Sequence, residues 1–204
     1  MPRASARRTS DTEPLHARGI TVGCGAAALT AGATVLAAAT DVSAMEARGF
    51  AIVNELPDRL WPVVWLPMQA GSFAGSILVC AALGTRARDR RIALAALAAT
   101  QGAYWGAKGV KRVVGRGRPA ALVVGVKERE QTRGLGYPSG HTAVAFALAA
   151  AIAPSLTRCA RTGVFATATF VGVARLYAGA HLPLDVVGGA AMGTLIGIAV
   201  ASTN

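Results

Sequence analysis

Long runs of uncharged apolar residues dominate this sequence and limit its possible folds more than any other feature. Six such stretches lie at about 19–40, 62–84, 92–110, 141–156, 163–180 and 183–201. A helix of about 20 apolar residues crosses the hydrocarbon core of a bilayer, within a range of about 17–25. The pattern therefore predicts an all-α fold, a bundle of six transmembrane helices in which the fourth stretch is short.

The composition agrees with a membrane protein and excludes two other classes. Hydrophobic residues make up 53% of the chain, charged residues make up 15%, and the mean hydropathy is +0.45. Soluble domains carry about 25% charged residues, and disordered chains lack this much apolar surface. The net charge of +11 could indicate a nucleic-acid partner. In so apolar a chain, the positive charge instead indicates basic residues that set the membrane topology or contact phosphates at the bilayer surface.

The length of 204 residues predicts one domain. We expect residues 1–18 to be a disordered, basic cytoplasmic tail and residues 19–204 to be the membrane domain. The first apolar stretch resembles a secretory signal peptide, with a possible cleavage site at Ala37–Ala39. At about 21 residues it exceeds the usual apolar region of about 7–15 residues, which favours an uncleaved first helix over a removed signal.

Charges in the loops predict the orientation. The tail and the turns 85–91 and 157–162 are basic, whereas loop 41–61 is rich in acidic residues. The positive-inside rule places the basic turns in the cytoplasm and puts loops 41–61 and 111–140 outside. Loop 111–140 is nevertheless basic, through Lys111, Arg112, Arg116, Arg118, Lys127, Arg129 and Arg133. These cations therefore need a reason other than topology.

Three segments that this topology brings to the outer face carry residues suited to binding an anion. They are the run from Lys111 to Pro119, the Pro-Ser-Gly-His run 138–141, and the run from Arg175 to Asp185. The cations Lys111, Arg118 and Arg175 can hold the oxygens of a phosphoryl group. Ser139 and Gly140 open a helix whose free amides form a further anion site. The sequence therefore predicts a phosphate site at the outer membrane face.

Two of the three histidines lie in these segments and predict catalysis. His181 and Asp185 are spaced i,i+4, which places them on one helix face if Pro183 lies in the first turn. A carboxylate on one ring nitrogen fixes the tautomer and leaves the other nitrogen as a nucleophile. His141, on another helix, is the candidate general acid for the leaving oxygen.

The same spacing continues along the last helix as a ridge of glycines. Gly189, Gly193 and Gly197 follow Asp185 at intervals of four residues. Repeated small residues at this spacing let helix backbones approach closely. We expect this ridge to dock the last helix and to hold His181 and Asp185 against the other two segments.

No metal or cofactor site is predicted. Cys24, Cys80 and Cys159 form no Cys-x-x-Cys pair and lie in or beside apolar runs. They are interpreted as small core residues.

Taken together, the three segments resemble the signature of the type-2 phosphatidic acid phosphatase superfamily, in its membrane lipid phosphate phosphatase branch. That signature is K-x6-RP, then PSGH, then SR-x5-H-x3-D. It is matched here by Lys111 to Arg118-Pro119, by Pro138 to His141, and by Arg175 through His181 to Asp185. One departure is Ala174, at the position where the family usually has a serine that helps to bind phosphate.

The resemblance implies a two-step reaction that uses no metal and no cofactor. His181 attacks phosphorus and becomes a phosphohistidine, Asp185 supports it, and His141 protonates the leaving group. Water activated by His141 then releases phosphate. Lys111, Arg118, Ser139, Gly140 and Arg175 bind the phosphoryl oxygens.

The expected function is that of a lipid phosphatase in the bacterial plasma membrane, with its active site facing outward or to the periplasm. A polyprenyl phosphate, diphosphate or phosphoribosyl lipid is the expected substrate. A glycerolipid phosphatase, a lipid phosphotransferase and a non-catalytic lipid-phosphate binder or transporter are alternatives. The bilayer and the lipid phosphate are the expected partners, nucleic acid is not, and the sequence leaves the oligomeric state open.

Overall fold

Residues 13–39 and 41–203 are described by a computed structural model, and within these ranges the regular structure is helical. The α-helices are α1 Glu13–Ala39, α2 Ala44–Asn54, α3 Trp61–Met68, α4 Phe73–Gly84, α5 Arg90–Val114, α6 Pro119–Leu122, α7 Gly140–Ile152, α8 Arg158–Tyr177 and α9 Pro183–Ala201. Short 3-10 turns connect several of them.

The centre of the bundle is built from α5, α7 and α9, which pack through small side chains. Alanines spaced along one face of α5 are buried against α7, and α9 packs on α7, α5 and α1. The glycine ridge of α9 makes the closest approach. A Cβ on Gly193 would lie 2.1 Å from the carbonyl oxygen of Ala143, and a Cβ on Gly197 would lie 2.6 Å from that of Ala147. The predicted docking role of the ridge is confirmed.

The second apolar stretch, predicted as one helix over 62–84, is broken. Helix α3 and its flanking turns meet α4 at a bend of 68°. Pro67 weakens the end of α3, and Ser72 starts α4 by accepting a hydrogen bond from the Gly75 amide. At the break, a Cβ on Gly71 would lie 2.5 Å from the His141 carbonyl oxygen. Only a glycine lets the chain pass so close to α7 at this bend.

Two further boundaries differ from the sequence prediction. Helix α1 begins at Glu13, so residues 13–18 are helical and not disordered, whereas residues 1–12 lie outside the described residues. Loop 41–61 contains α2, which is capped by the Ser43 hydroxyl at the Glu46 amide.

The interpretation of the cysteines as core residues is correct only for Cys80, since Cys24 and Cys159 are exposed.

By length and composition, one helix in the described ranges, Pro183–Ala201, is long and apolar enough to cross a membrane. The bent segment formed by Asp58–Gly71 and Phe73–Gly84 makes a second if it is counted as one span. Val22–Ala38 and Gly140–Ser155 are apolar but shorter. The six-span count therefore stays a prediction.

Candidate active site

Hydrogen bonds join the three motif segments at one end of α5, α7 and α9. The Ser139 amide donates to the Asp185 carbonyl oxygen at 2.9 Å, which ties the start of α7 to the first turn of α9. The Arg118 Nη1 donates to the Ala180 carbonyl oxygen at 2.8 Å, next to His181. These bonds therefore bring residues distant in sequence together beside the starts of α7 and α9.

The His181–Asp185 pair forms, although not on one helix face. His181 precedes α9, and Pro183 is the first residue of that helix. Asp185 folds back so that its Oδ2 accepts from the Leu182 amide at 3.0 Å and lies 3.3 Å from His181 Nδ1. The i,i+4 contact therefore arises from N-terminal capping, because a carboxylate in the first turn satisfies free amides there.

His181 is 3% exposed and Asp185 is fully buried. Burial lowers the pKa of His181 to about 3, and it outweighs the opposite effect of the Asp185 carboxylate. The imidazole is therefore neutral at physiological pH. With Nδ1 directed at Asp185, its Nε2 is the nitrogen that can act as a nucleophile.

The Pro-Ser-Gly-His segment starts α7 as predicted. Ser139 is the N-cap, and its hydroxyl oxygen accepts from the Thr142 amide and, at 2.9 Å, from the Thr142 hydroxyl. A Cβ on Gly140 would meet nothing within 4 Å, so the space beside the first amides of α7 is open. His141 follows directly and lies within electrostatic range of His181 and Arg175.

Lys111 lies in the last turn of α5, and its ammonium group holds the chain before Pro138. Its Nζ donates to the carbonyl oxygens of Leu135 at 2.9 Å and Gly136 at 2.6 Å. Burial, followed by the charge of Arg118, lowers the pKa of Lys111 to about 8. An ammonium group has three donors, so one stays available for an anion.

The two motif arginines differ in their partners. Arg118 is half-buried and donates to backbone oxygens. Arg175 is 3% exposed, and its Nη1 pairs with the carboxylate of Glu130 and contacts Met68 Sδ at 3.5 Å. Its Nε is buried without a hydrogen-bond partner among the described residues. A phosphoryl oxygen could satisfy this donor.

Ala174, at the family's serine position, is buried in a small apolar cluster with Met68, Ala178 and Ala180. An apolar contact therefore stands where the family usually has a hydroxyl group, and the Met68 sulfur lies beside Arg175.

Sequence reasoning missed three charged residues beside the motifs. Arg116 forms ion pairs with Asp185 and with Glu46 of α2, and Glu130 pairs with Arg175. The excess of cations in loop 111–140 was the available signal, because it required a reason other than topology. Spacing alone could not name the acidic partners, since Glu46 lies 70 positions from Arg116.

Other basic residues of this loop hold it on the bundle. The guanidinium of Arg129 lies 3.9 Å from the centre of the Tyr177 ring and pairs with Asp58 at 2.7 Å. The buried side chain of Asn54 donates to the Lys127 carbonyl oxygen and accepts from the Lys127 amide. The loop is therefore fixed against α2 and α8.

The described residues contain no group of three or more His, Cys, Asp or Glu side chains that could hold a metal ion. What they do contain is a neutral imidazole next to a carboxylate, a second imidazole, and cations and amides suited to an oxyanion. Such a set can transfer a phosphoryl group through a covalent intermediate.

Comparisons with known proteins agree with this geometry. The sequence model of a family described as the PAP2 superfamily matches residues 90–204. The fold is similar to that of LpxE from Aquifex aeolicus, with a TM-score of 0.72 and 25% identity, over 78% of this chain and 96% of that chain. It is also similar to a transmembrane PAP2-type phosphatidylglycerolphosphate phosphatase from Bacillus subtilis, with a TM-score of 0.70 and 19% identity, over 91% of this chain and 94% of that chain. No curated protein matches the sequence.

Proposed function

The chain belongs to the PAP2 superfamily, as its motifs indicated, and from that premise we propose that it is a membrane lipid phosphatase acting through a phosphohistidine. The observation that carries the proposal is the buried His181–Asp185 pair beside the start of α7. Around it stand the motif cations Lys111, Arg118 and Arg175. All three charges act on His141, and those of Lys111 and Arg175 also act on His181.

In the first step, His181 Nε2 attacks phosphorus and forms an N–P bond while the P–O bond to the leaving group breaks. With the anionic phosphate bound among the cations, His141 carries a proton and gives it to the leaving oxygen, so an alcohol or a phosphate departs. The imidazole gains positive charge in this step, and the Asp185 carboxylate at 3.3 Å from Nδ1 stabilises it.

In the second step, neutral His141 takes a proton from water, and the water oxygen attacks phosphorus. The N–P bond breaks, inorganic phosphate leaves, and both histidines return to their starting states. Lys111, Arg118, Arg175, Ser139 and the Gly140 amide hold the equatorial oxygens in both steps. No step requires a metal or a cofactor.

We propose a polyprenyl phosphate or diphosphate, or a phosphoribosyl polyprenyl lipid, as the substrate. A glycerolipid phosphate is the second candidate, and it is favoured by the likeness to the Bacillus subtilis protein, which is described as a phosphatidylglycerolphosphate phosphatase. Both classes carry the phosphate at a bilayer interface.

We further propose that six helical segments cross the plasma membrane and that the site faces outward. Large apolar side chains on the outside of the bundle support contact with lipid, as with Val63, Leu66 and Leu78, which are 73%, 69% and 70% exposed. The basic turns 85–91 and 157–162 and the acid-rich loop 41–61 support the outward orientation.

Phosphate release from purified protein tests the proposal. The substrates are polyprenyl and glycerolipid phosphates in mixed micelles, and the matched variant is His181→Ala. We expect release from at least one lipid class and none from the variant, which should remain folded. If the pure variant retains turnover, His181 is not the nucleophile.

Product analysis separates the alternatives. A phosphotransferase moves the phosphoryl group from the same phosphohistidine to a lipid or sugar acceptor and releases little phosphate. A non-catalytic binder or transporter retains ligand binding and biological function in His181→Ala.

A further inference from the structure

A buried ion-pair network outside the catalytic set joins the proposed catalytic carboxylate to helix α2. The side chain of Arg116 is 4% exposed, and its Nη1 donates to Asp185 Oδ1 at 3.0 Å. The same guanidinium donates to both carboxylate oxygens of Glu46, at 3.1 Å to Oε1 and 2.7 Å to Oε2. Arg116 therefore bridges two carboxylates, and the forked contact with Glu46 fixes its plane.

Glu46 makes a second contact with the segment that carries the catalytic pair. Its Oε1 also accepts from the Leu184 amide at 3.0 Å, one residue before Asp185. Glu46 and Asp185 thus satisfy neighbouring amides at the start of α9, since Asp185 accepts from the Leu182 amide. A residue of α2 therefore holds the turn in which His181 and Asp185 lie.

These contacts fix the orientation of the Asp185 carboxylate. Its Oδ1 accepts from Arg116, and its Oδ2 faces the Leu182 amide and His181 Nδ1. Donors from two chain segments therefore prevent the carboxyl group from rotating away from the imidazole. Such partners of a catalytic group control its geometry without touching substrate.

The charges of the network matter as much as its geometry. Arg116 alone would cancel the negative charge of Asp185, which His181 needs as its ring becomes positive. Glu46, 10% exposed at its side chain, restores a net charge of −1 to the three groups. At such burial these interactions are poorly screened by solvent.

We propose, on the basis of the phosphohistidine function above, that Arg116 and Glu46 are positioning residues for that reaction. Arg116 orients the Asp185 carboxylate, and Glu46 orients Arg116 and balances its charge. A merely structural role, in which the pair only anchors α2, predicts lower stability without a change in the kcat of the folded protein.

The decisive variant is Glu46→Gln, which keeps the shape of the side chain and an oxygen acceptor but removes the charge. We expect kcat for phosphate release to fall by about 10-fold or more, by analogy with the loss of about 10–100-fold when the outer hydrogen-bond partner of a metal ligand is removed. KM should change little, because the phosphate ligands are untouched. Glu55→Gln removes the same charge at the exposed end of α2 and should leave kcat unchanged.

Two further variants control for misfolding and for geometry. Arg116→Lys keeps the charge but loses the planar guanidinium that contacts both Glu46 oxygens, whereas Arg116→Met also loses the charge. The kcat of Arg116→Lys should therefore lie between those of the unmodified protein and Arg116→Met. Thermal unfolding and competitive binding of inorganic phosphate report the folded fraction of each variant. The proposal is overturned if Glu46→Gln, corrected for folded protein, has an unchanged kcat.

His181→Ala in the same assay separates this inference from the function on which it rests. If His181→Ala is inactive and Glu46→Gln is fully active, only the positioning role is wrong. If His181→Ala retains turnover, the phosphohistidine reaction fails, and the positioning role fails with it.

Discussion

Replacing Gly193 with alanine tests whether the glycine ridge sets the geometry of the active site. The new Cβ would lie 2.1 Å from the Ala143 carbonyl oxygen, about 0.9 Å closer than the 3.0 Å that real Cβ atoms respect. The obstacle is backbone of α7, so α9 must move away by nearly 1 Å. Overpacking of this kind costs about 1–3 kcal/mol, against a gain in helix propensity of up to about 1 kcal/mol.

The effect on activity should exceed the effect on stability. Gly193 lies two helical turns beyond Asp185, and the atoms that its Cβ would meet first belong to Ala143. Moving α9 nevertheless displaces His181 and Asp185 relative to His141 on α7, and a misplacement of about 1 Å can cost about 100-fold in rate. We therefore expect kcat to fall by about 100-fold in a protein whose thermal unfolding temperature is only moderately lowered.

The control for this experiment is Gly163→Ala in α8. A Cβ there meets nothing within 4 Å, so the variant should keep its activity and be as stable as the unmodified protein or more so. Both variants are compared by phosphate release and by thermal unfolding in the same detergent. Full activity and stability in Gly193→Ala would refute the close approach of α9 to α7.

Three further predictions concern the phosphate site. The pKa of Lys111 is lowered to about 8, so kcat/KM should fall as pH rises through about 8 and this ammonium group loses its charge. Lys111→Arg should abolish the decline. A profile that stays flat to about pH 9.5 contradicts the role of Lys111 as a phosphate-binding cation. The Glu130 carboxylate competes with phosphate for Arg175, and Glu130→Gln removes its charge. Inhibition by inorganic phosphate should therefore strengthen by about 5-fold, which corresponds to about 1 kcal/mol for a partly exposed ion pair. An unchanged inhibition constant contradicts this competition. Treatment with EDTA should leave turnover unchanged, and a loss of activity that added metal restores would contradict the metal-free mechanism.

Much of the site could be predicted because its chemistry needs particular residue types at fixed local spacings. The Pro-Ser-Gly-His segment starts a helix since serine is a good N-cap, and the structure has Ser139 in that role. The spacing of Gly189, Gly193 and Gly197 also has one simple physical meaning, a close approach of two backbones, and the structure contains it.

The break in the second apolar stretch and the partner of Arg116 could not be predicted, because they depend on contacts between residues distant in sequence. At the bend between α3 and α4, Gly71 passes the His141 carbonyl oxygen, a contact between residues 70 positions apart. Likewise, Glu46 is one of several acidic residues in its loop, and only the fold selects it as the partner of Arg116. Local propensity predicts where helices begin, whereas tertiary packing decides where they break.

The central claim is that a phosphoryl group passes through His181. Its most direct test is rapid quenching of the intact protein during turnover of a radiolabelled lipid phosphate, followed by peptide mapping. The account predicts an acid-labile, base-stable label on the peptide that contains His181, which forms and decays at rates compatible with kcat. Label on another residue, or turnover without a labelled protein, would contradict it.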